Sequence, residues 1–138
     1  MIKVVMFARR KPGISPEEFR DYYENKHVVL AAPYVKGVMI DHFRIYPGKV
    51  RAFAEDWTKA DDMPEIEPPF DAVSVYSFES EKALEDYARF MADPEIAAIF
   101  TTDELRFLDR PNCLNGPCAV EQGPGVTNKA ALSPEKPL

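Results

Sequence analysis

The sequence predicts an α+β domain: a four-stranded antiparallel sheet with helices packed on one face. Three observations carry this reading. Apolar, β-branched runs of strand length alternate with segments whose apolar residues recur at helical spacing. Their order along the chain is β-α-β, an insertion, then β-α-β, which is the ferredoxin-like layout for an antiparallel sheet. Both faces of the strands carry apolar residues, so helices covering one side leave an apolar face bare. Pairing with a second copy across a dyad would bury that face, and a homodimer is expected.

Residues 2–9, IKVVMFAR, form the first strand candidate. RKPG then turns the chain into residues 15–33, SPEEFRDYYENKHVVLAAP, the best-marked helix of the sequence. Ser15 is a good N-cap, Pro16 suits the first turn and Glu18 completes a capping box. Pro33 is expected to end the helix, because it lacks an N–H and its ring opposes another turn. Phe19, Tyr22, Tyr23, Lys26, His27 and Leu30 share one face, which places an ionisable imidazole on a core-facing stripe.

Residues 35–46, VKGVMIDHFRIY, form the second strand candidate. Period two puts Val38, Ile40, His42, Arg44 and Tyr46 on one face and Met39, Asp41, Phe43 and Ile45 on the other. Pro47 and Gly48 break it. The insertion, residues 48–69, joins a short helix candidate in RAFAEDWTKA to the irregular MPEIEPPF, and its length suits a lid or binding loop. FDAVSVYSF, residues 70–78, is the third strand. Ser80 caps a second helix whose stripe is Leu84, Tyr87, Phe90 and Met91. Pro94 starts a short helical piece, EIAAIF, and DELRFLDRP is expected to be the last strand. From Asn112 onward Pro and Gly recur without periodicity. The domain is therefore drawn as residues 1–110 and residues 111–138 as a tail.

With 138 residues, 46% of them hydrophobic and 29% charged, the chain suits one ordinary globular domain. A net charge of −6 and a pI near 5.0 oppose nucleic acid or an anionic membrane as the main partner. No apolar run is long enough to span a bilayer, and the N-terminal one is too short for a signal segment, so a cytoplasmic protein is expected. Cys113 and Cys118 have neither zinc-ligand nor CxxC spacing and are expected to stay reduced. The two histidines show no HxH or HxxxH pattern, so no metal is expected.

The strand followed by RRKPGISPEEFRDYYENKH resembles the opening of EthD-domain proteins, members of the dimeric α+β barrel superfamily. DAVSVYSFESEKALEDYARFMADPE followed by DELRFLDR resembles the second half of that domain, so the likeness spans residues 2–110. It implies a cofactor-free dimer with a pocket between helices and sheet in each subunit. Relatives include decarboxylases, dehydratases and cyclases of aromatic polyketides, and methylmuconolactone isomerase. Other members accompany ether degradation without a clear catalytic role. His27 matches the histidine of the family's first helix and Tyr23 the aromatic position before it. Asp103 and Phe107 match the acidic and aromatic positions before the last strand.

Histidine titrates near neutrality, and enolisation, dehydration, ring closure and decarboxylation all need proton transfer without redox chemistry. On this reading His27 carries the proton, Asp103 orients it, and His42 is a second catalytic candidate. Tyr23, Tyr46 and Tyr76 offer hydrogen bonds to a developing enolate or phenolate. Arg44 offers a carboxylate site, and Trp57 a cover for the pocket mouth. The expected function is a cofactor-independent lyase (decarboxylase or dehydratase) or cyclase acting on an aromatic polyketide-like small molecule. Two other functions suit the same residues: a cofactor-free monooxygenase of anthrones or quinols, and a non-catalytic module binding an aromatic ligand or haem. A histidine on an apolar helical stripe is also a common satisfied core residue, so geometry has to decide.

Overall fold

The computed structural model describes residues 1–123. Strands β1 (Ile2–Ala8), β2 (Met39–Ile45), β3 (Ala72–Phe78) and β4 (Leu114–Cys118) form one antiparallel sheet in the order β2-β3-β1-β4. Ile2 pairs with Phe78 and Ala8 with Ala72, so alternate residues share a face. Ala8, Ala72, Ser74 and Phe78 point beneath the helices and are fully buried. On the opposite face of β2, Phe43 and Ile45 are 63% and 54% exposed, the bare apolar face that the strand pattern predicted.

The first helix begins as its sequence dictates. Ser15 Oγ accepts from the Glu18 N–H (3.1 Å) and the Glu18 carboxylate accepts from the Ser15 N–H (3.4 Å), closing the capping box. Helix α1 (Pro16–Tyr22) then widens into a π-helical turn, Tyr23–His27, and resumes as α2 (Val28–Val35). Pro33 does not end it, contrary to the sequence expectation. Its ring removes only the bond to the Val29 carbonyl, on an exposed side where water can serve that group. The Lys36 N–H still reaches the Ala32 carbonyl at 3.1 Å.

The second half departs from expectation in one place that matters. Helix α3 (Glu81–Met91) is capped by Ser80, and α4 starts at Pro94 with the Asp93 carboxylate accepting from the N–H groups of Glu95 and Ile96. Helix α4 runs through to Glu104, so DELRFLDR is not the last strand. Phe107 and Leu108, adjacent in sequence, are both buried, which the alternation of a half-buried strand forbids. They form a turn, tied to the sheet by a single bridge from Leu108 to Arg10. The fourth strand is Leu114–Cys118, inside the segment read as tail. Its Gly116 and Pro117 disguise it, and an edge strand tolerates both. The sheet therefore extends past the boundary drawn at residue 110.

The insertion holds a short 3-10 helix, Trp57–Asp62, capped by Asp56, and a bridge between Val50 and Ile66. Cys113 and Cys118 are both free. No helix among the described residues is long and apolar enough to cross a membrane. Phe19, Tyr23, Ala72, Phe107 and Leu108 form the buried centre, which sits against the wall of a cavity.

Candidate active site

The cavity, about 210 Å³, lies between the sheet and the helices. Val28, Ala31, Ala32 and Val35 of α2 form one wall, a stripe at helical spacing whose two alanines leave room. His42 and Arg44 of β2, with Tyr76 of β3, form the floor. Tyr87 and Met91 of α3 and Phe100 and Glu104 of α4 close the far side.

His27 projects into this space from the π-helical turn. Its Nδ1 lies 2.8 Å from Asp103 Oδ2, and the Tyr22 hydroxyl donates to Asp103 Oδ1 at 2.6 Å. Asp103, on the last turn of α4, is only 8% exposed. A carboxylate can only accept, so Nδ1 carries the proton and Nε2 keeps a lone pair. Nε2 has no hydrogen-bond partner among the described residues. The rings of Phe107 (5.0 Å), Tyr23 (5.6 Å) and Phe100 (6.1 Å) hold the imidazole in place. Two residues distant in sequence thus meet in one hydrogen-bonded pair.

His42 sits across the cavity, its ring 6.2 Å from that of Tyr23 and 5.0 Å from that of Tyr76. Burial first, then the Arg44 guanidinium and His27, lower its pKa to about 4, so it is neutral at pH 7. Arg44 Nη1 approaches its Nδ1 at 3.4 Å, which leaves the proton on Nε2. That buried Nε2 has no partner among the described residues.

The other expected site residues divide between the cavity and its surroundings. Arg44 grips Glu24 with two nitrogens, Nε to Oε2 at 2.5 Å and Nη2 to Oε1 at 2.8 Å. The same carboxylate accepts from the Tyr46 hydroxyl. Arg44 and Tyr46 together hold Glu24 down to about 2. The guanidinium is thereby committed to a partner, and Tyr46 stands behind Tyr23 rather than on the cavity surface. Tyr23 is fully buried, its hydroxyl 3.0 Å from Ser74 Oγ, and burial raises its pKa to about 12. Burial likewise raises Tyr76. Trp57 packs at a tilt against Phe53 and is 78% exposed, away from the cavity lining. Tyr22, read as core, holds Asp103, and Glu24 and Glu104 were not anticipated. Glu104 had one visible signal, its place beside Asp103.

Among the described residues no group of three or more His, Cys, Asp or Glu is placed to hold a metal ion.

These shifts fix the sign of a pH effect. His42 has its folded pKa below the ordinary 6.5, so the unfolded chain binds more protons as pH falls from about 6.5 to about 4. Stability is lost through that window. Glu24 adds a second loss as pH falls from 4.5 towards 2. Urea midpoints measured across the first window should drop less steeply for His42→Gln than for the wild type. Parallel curves would show that His42 is not held neutral.

The sequence model of the EthD domain matches residues 11–111. Among solved structures, the fold is similar to that of a protein from Arabidopsis thaliana, with a TM-score of 0.50 at 22% identity, covering 90% of this chain and 99% of that one. It is also similar to an EthD family protein from Bacillus halodurans, with a TM-score of 0.51 at 15% identity, covering 84% of this chain and 97% of that one. No curated protein matches the chain.

Proposed function

The chain belongs to the EthD family, and from that premise we propose that its cavity is the active site of a cofactor-independent enzyme moving protons on an aromatic, polyketide-like small molecule. One observation carries this reading: an imidazole fixed by a buried carboxylate at Nδ1 offers its free Nε2 to an aromatic-lined cavity. In this role His27 Nε2 takes a proton from carbon or oxygen, and Asp103 favours the imidazolium that forms. The neutral Nε2–H of His42 and the Tyr76 hydroxyl stand on the floor to meet the charge that develops on a carbonyl oxygen. The reaction is a lyase or cyclase step, with no electron transfer.

The working enzyme is a cytoplasmic homodimer. The apolar face presented by Phe43 and Ile45 supports the pairing, and two free cysteines suit a reducing compartment.

Proton transfer is testable without the natural substrate. In heavy water, the protein should speed exchange of the protons beside the ketone of α-tetralone by about 10²-fold or more over buffer, followed by NMR. Exchange no faster than with an equal concentration of free imidazole would overturn the reading.

A further inference from the structure

Three carboxylates surround the cavity in three different settings. Glu24 accepts three charge-assisted or phenolic hydrogen bonds and is locked as an anion. Asp103 has a donor on each oxygen. Glu104, the last residue of α4, is different. It lines the cavity beside Phe100 and Met91, and its one ion-pair partner among the described residues is Arg110, Nε to Oε1 at 3.3 Å. Its other oxygen has no donor among those residues. It also ends a helix, where the backbone carbonyls disfavour a negative charge.

We propose that Glu104 is the second catalytic group, a general acid working opposite His27, and that the reaction is loss of water from an uncharged β-hydroxyketone. This rests on the proton-transfer reading above. Burial raises the Glu104 pKa, against the opposing pull of Arg110 and His27 and with Asp103 adding to the rise. Tyr23 of the π-helical turn, Tyr76 of β3, Tyr87 of α3 and Cys113 are the other titratable groups around it. Carboxyl groups whose surroundings drive them apart mark an acid and a base in one site. Here the contrast is between a carboxyl group that burial raises and a His27 supported as base by Asp103.

The substrate class follows from the cations. Arg44 is the one arginine or lysine lining the cavity among the described residues, and Glu24 occupies it. A substrate carboxylate would therefore meet Glu104 with no free cation to receive it. A neutral hydroxyketone meets what it needs. His27 Nε2 removes the proton from the carbon beside the ketone, and that electron pair forms the C=C bond. The C–O bond on the next carbon breaks, Glu104 gives its proton to the departing oxygen, and water leaves. His27 then releases its proton and Glu104 regains one through solvent. Nothing is oxidised or reduced.

The test uses 3-hydroxy-1-tetralone, whose dehydration gives fluorescent 1-naphthol. Glu104→Gln should lower kcat by about 10²-fold or more with KM within about twofold, and Glu104→Asp should recover part of it. The wild-type profile should fall on the alkaline side as the acid is lost, and Glu104→Gln should lack that limb. Infrared spectra at neutral pH should show a protonated carboxyl band that is absent from Glu104→Gln. If that band is missing from the wild type, or Glu104→Gln keeps full turnover and its alkaline limb, the acid role is overturned while proton exchange by His27 still stands. Turnover of 1-hydroxy-2-naphthoate in place of the hydroxytetralone would overturn the assignment to dehydration.

Discussion

His27→Ala should lower the rate of α-tetralone proton exchange by about 10³-fold, with a circular-dichroism spectrum and melting profile close to those of the wild type. The loss is large because the variant removes the one nitrogen that faces the cavity with a lone pair. The fold should tolerate it, because Asp103 keeps the Tyr22 donor on Oδ1 and sits at the edge of the core rather than at its centre. Asp103→Asn tests the same pair from the other side. An amide can donate as well as accept, so it no longer forces the proton onto Nδ1. A drop of about 10–100-fold in kcat with little change in KM is expected there. If His27→Ala exchanges at the wild-type rate, the imidazole is a packing residue and the proposed mechanism fails.

Phe107→Ala should be the most damaging core substitution, costing about 3–5 kcal/mol. The ring is fully buried and lies against Phe19 (5.7 Å), Tyr22 (5.1 Å), Tyr23 (5.3 Å) and His27 (5.0 Å). These neighbours come from one continuous helix, whose backbone cannot close in on the vacated space without moving the site. Against a total stability of about 5–15 kcal/mol for a typical domain, the variant should be partly unfolded or melt far below the wild type. Urea denaturation measures it directly. A loss under about 1 kcal/mol would mean that the aromatic cluster does not anchor the fold.

The two substitutions also mark what the sequence made legible. His27 stood out because a capped helix with a clear stripe placed an imidazole on its inner side, and local patterns report such placement well. Phe107 was matched by its position in a family motif, but the motif was assigned to a strand. An apolar pair between charged residues reads as a strand fragment in sequence until α4 is seen to run through Glu104 and both side chains are found buried. The real edge strand, Leu114–Cys118, carries a glycine and a proline and so lacks any strand signal of its own. Its place is decided by pairing with β1, a long-range contact that no local window contains. The Arg44–Glu24 fork was invisible for the same reason, since 20 positions separate its partners. A free Arg44 and a committed one have the same neighbours in sequence, yet they imply opposite substrates.

The π-helical turn shows how backbone register alone can set the size of a binding space. A regular α-helix would carry the stripe of Phe19 and Tyr23 onward to Leu30. The Val28 N–H instead reaches back to the Tyr23 carbonyl, so the helix spends one extra residue on that turn. Everything after it is rotated by about 100°. The side chains that reach the cavity become Val28, Ala31, Ala32 and Val35. Straightening this turn into regular α-helix at unchanged chain length would undo the phase shift and turn leucine inward in place of alanine. The difference between an open chamber and a filled core is thus one step of backbone hydrogen-bond register, a change that leaves the composition untouched.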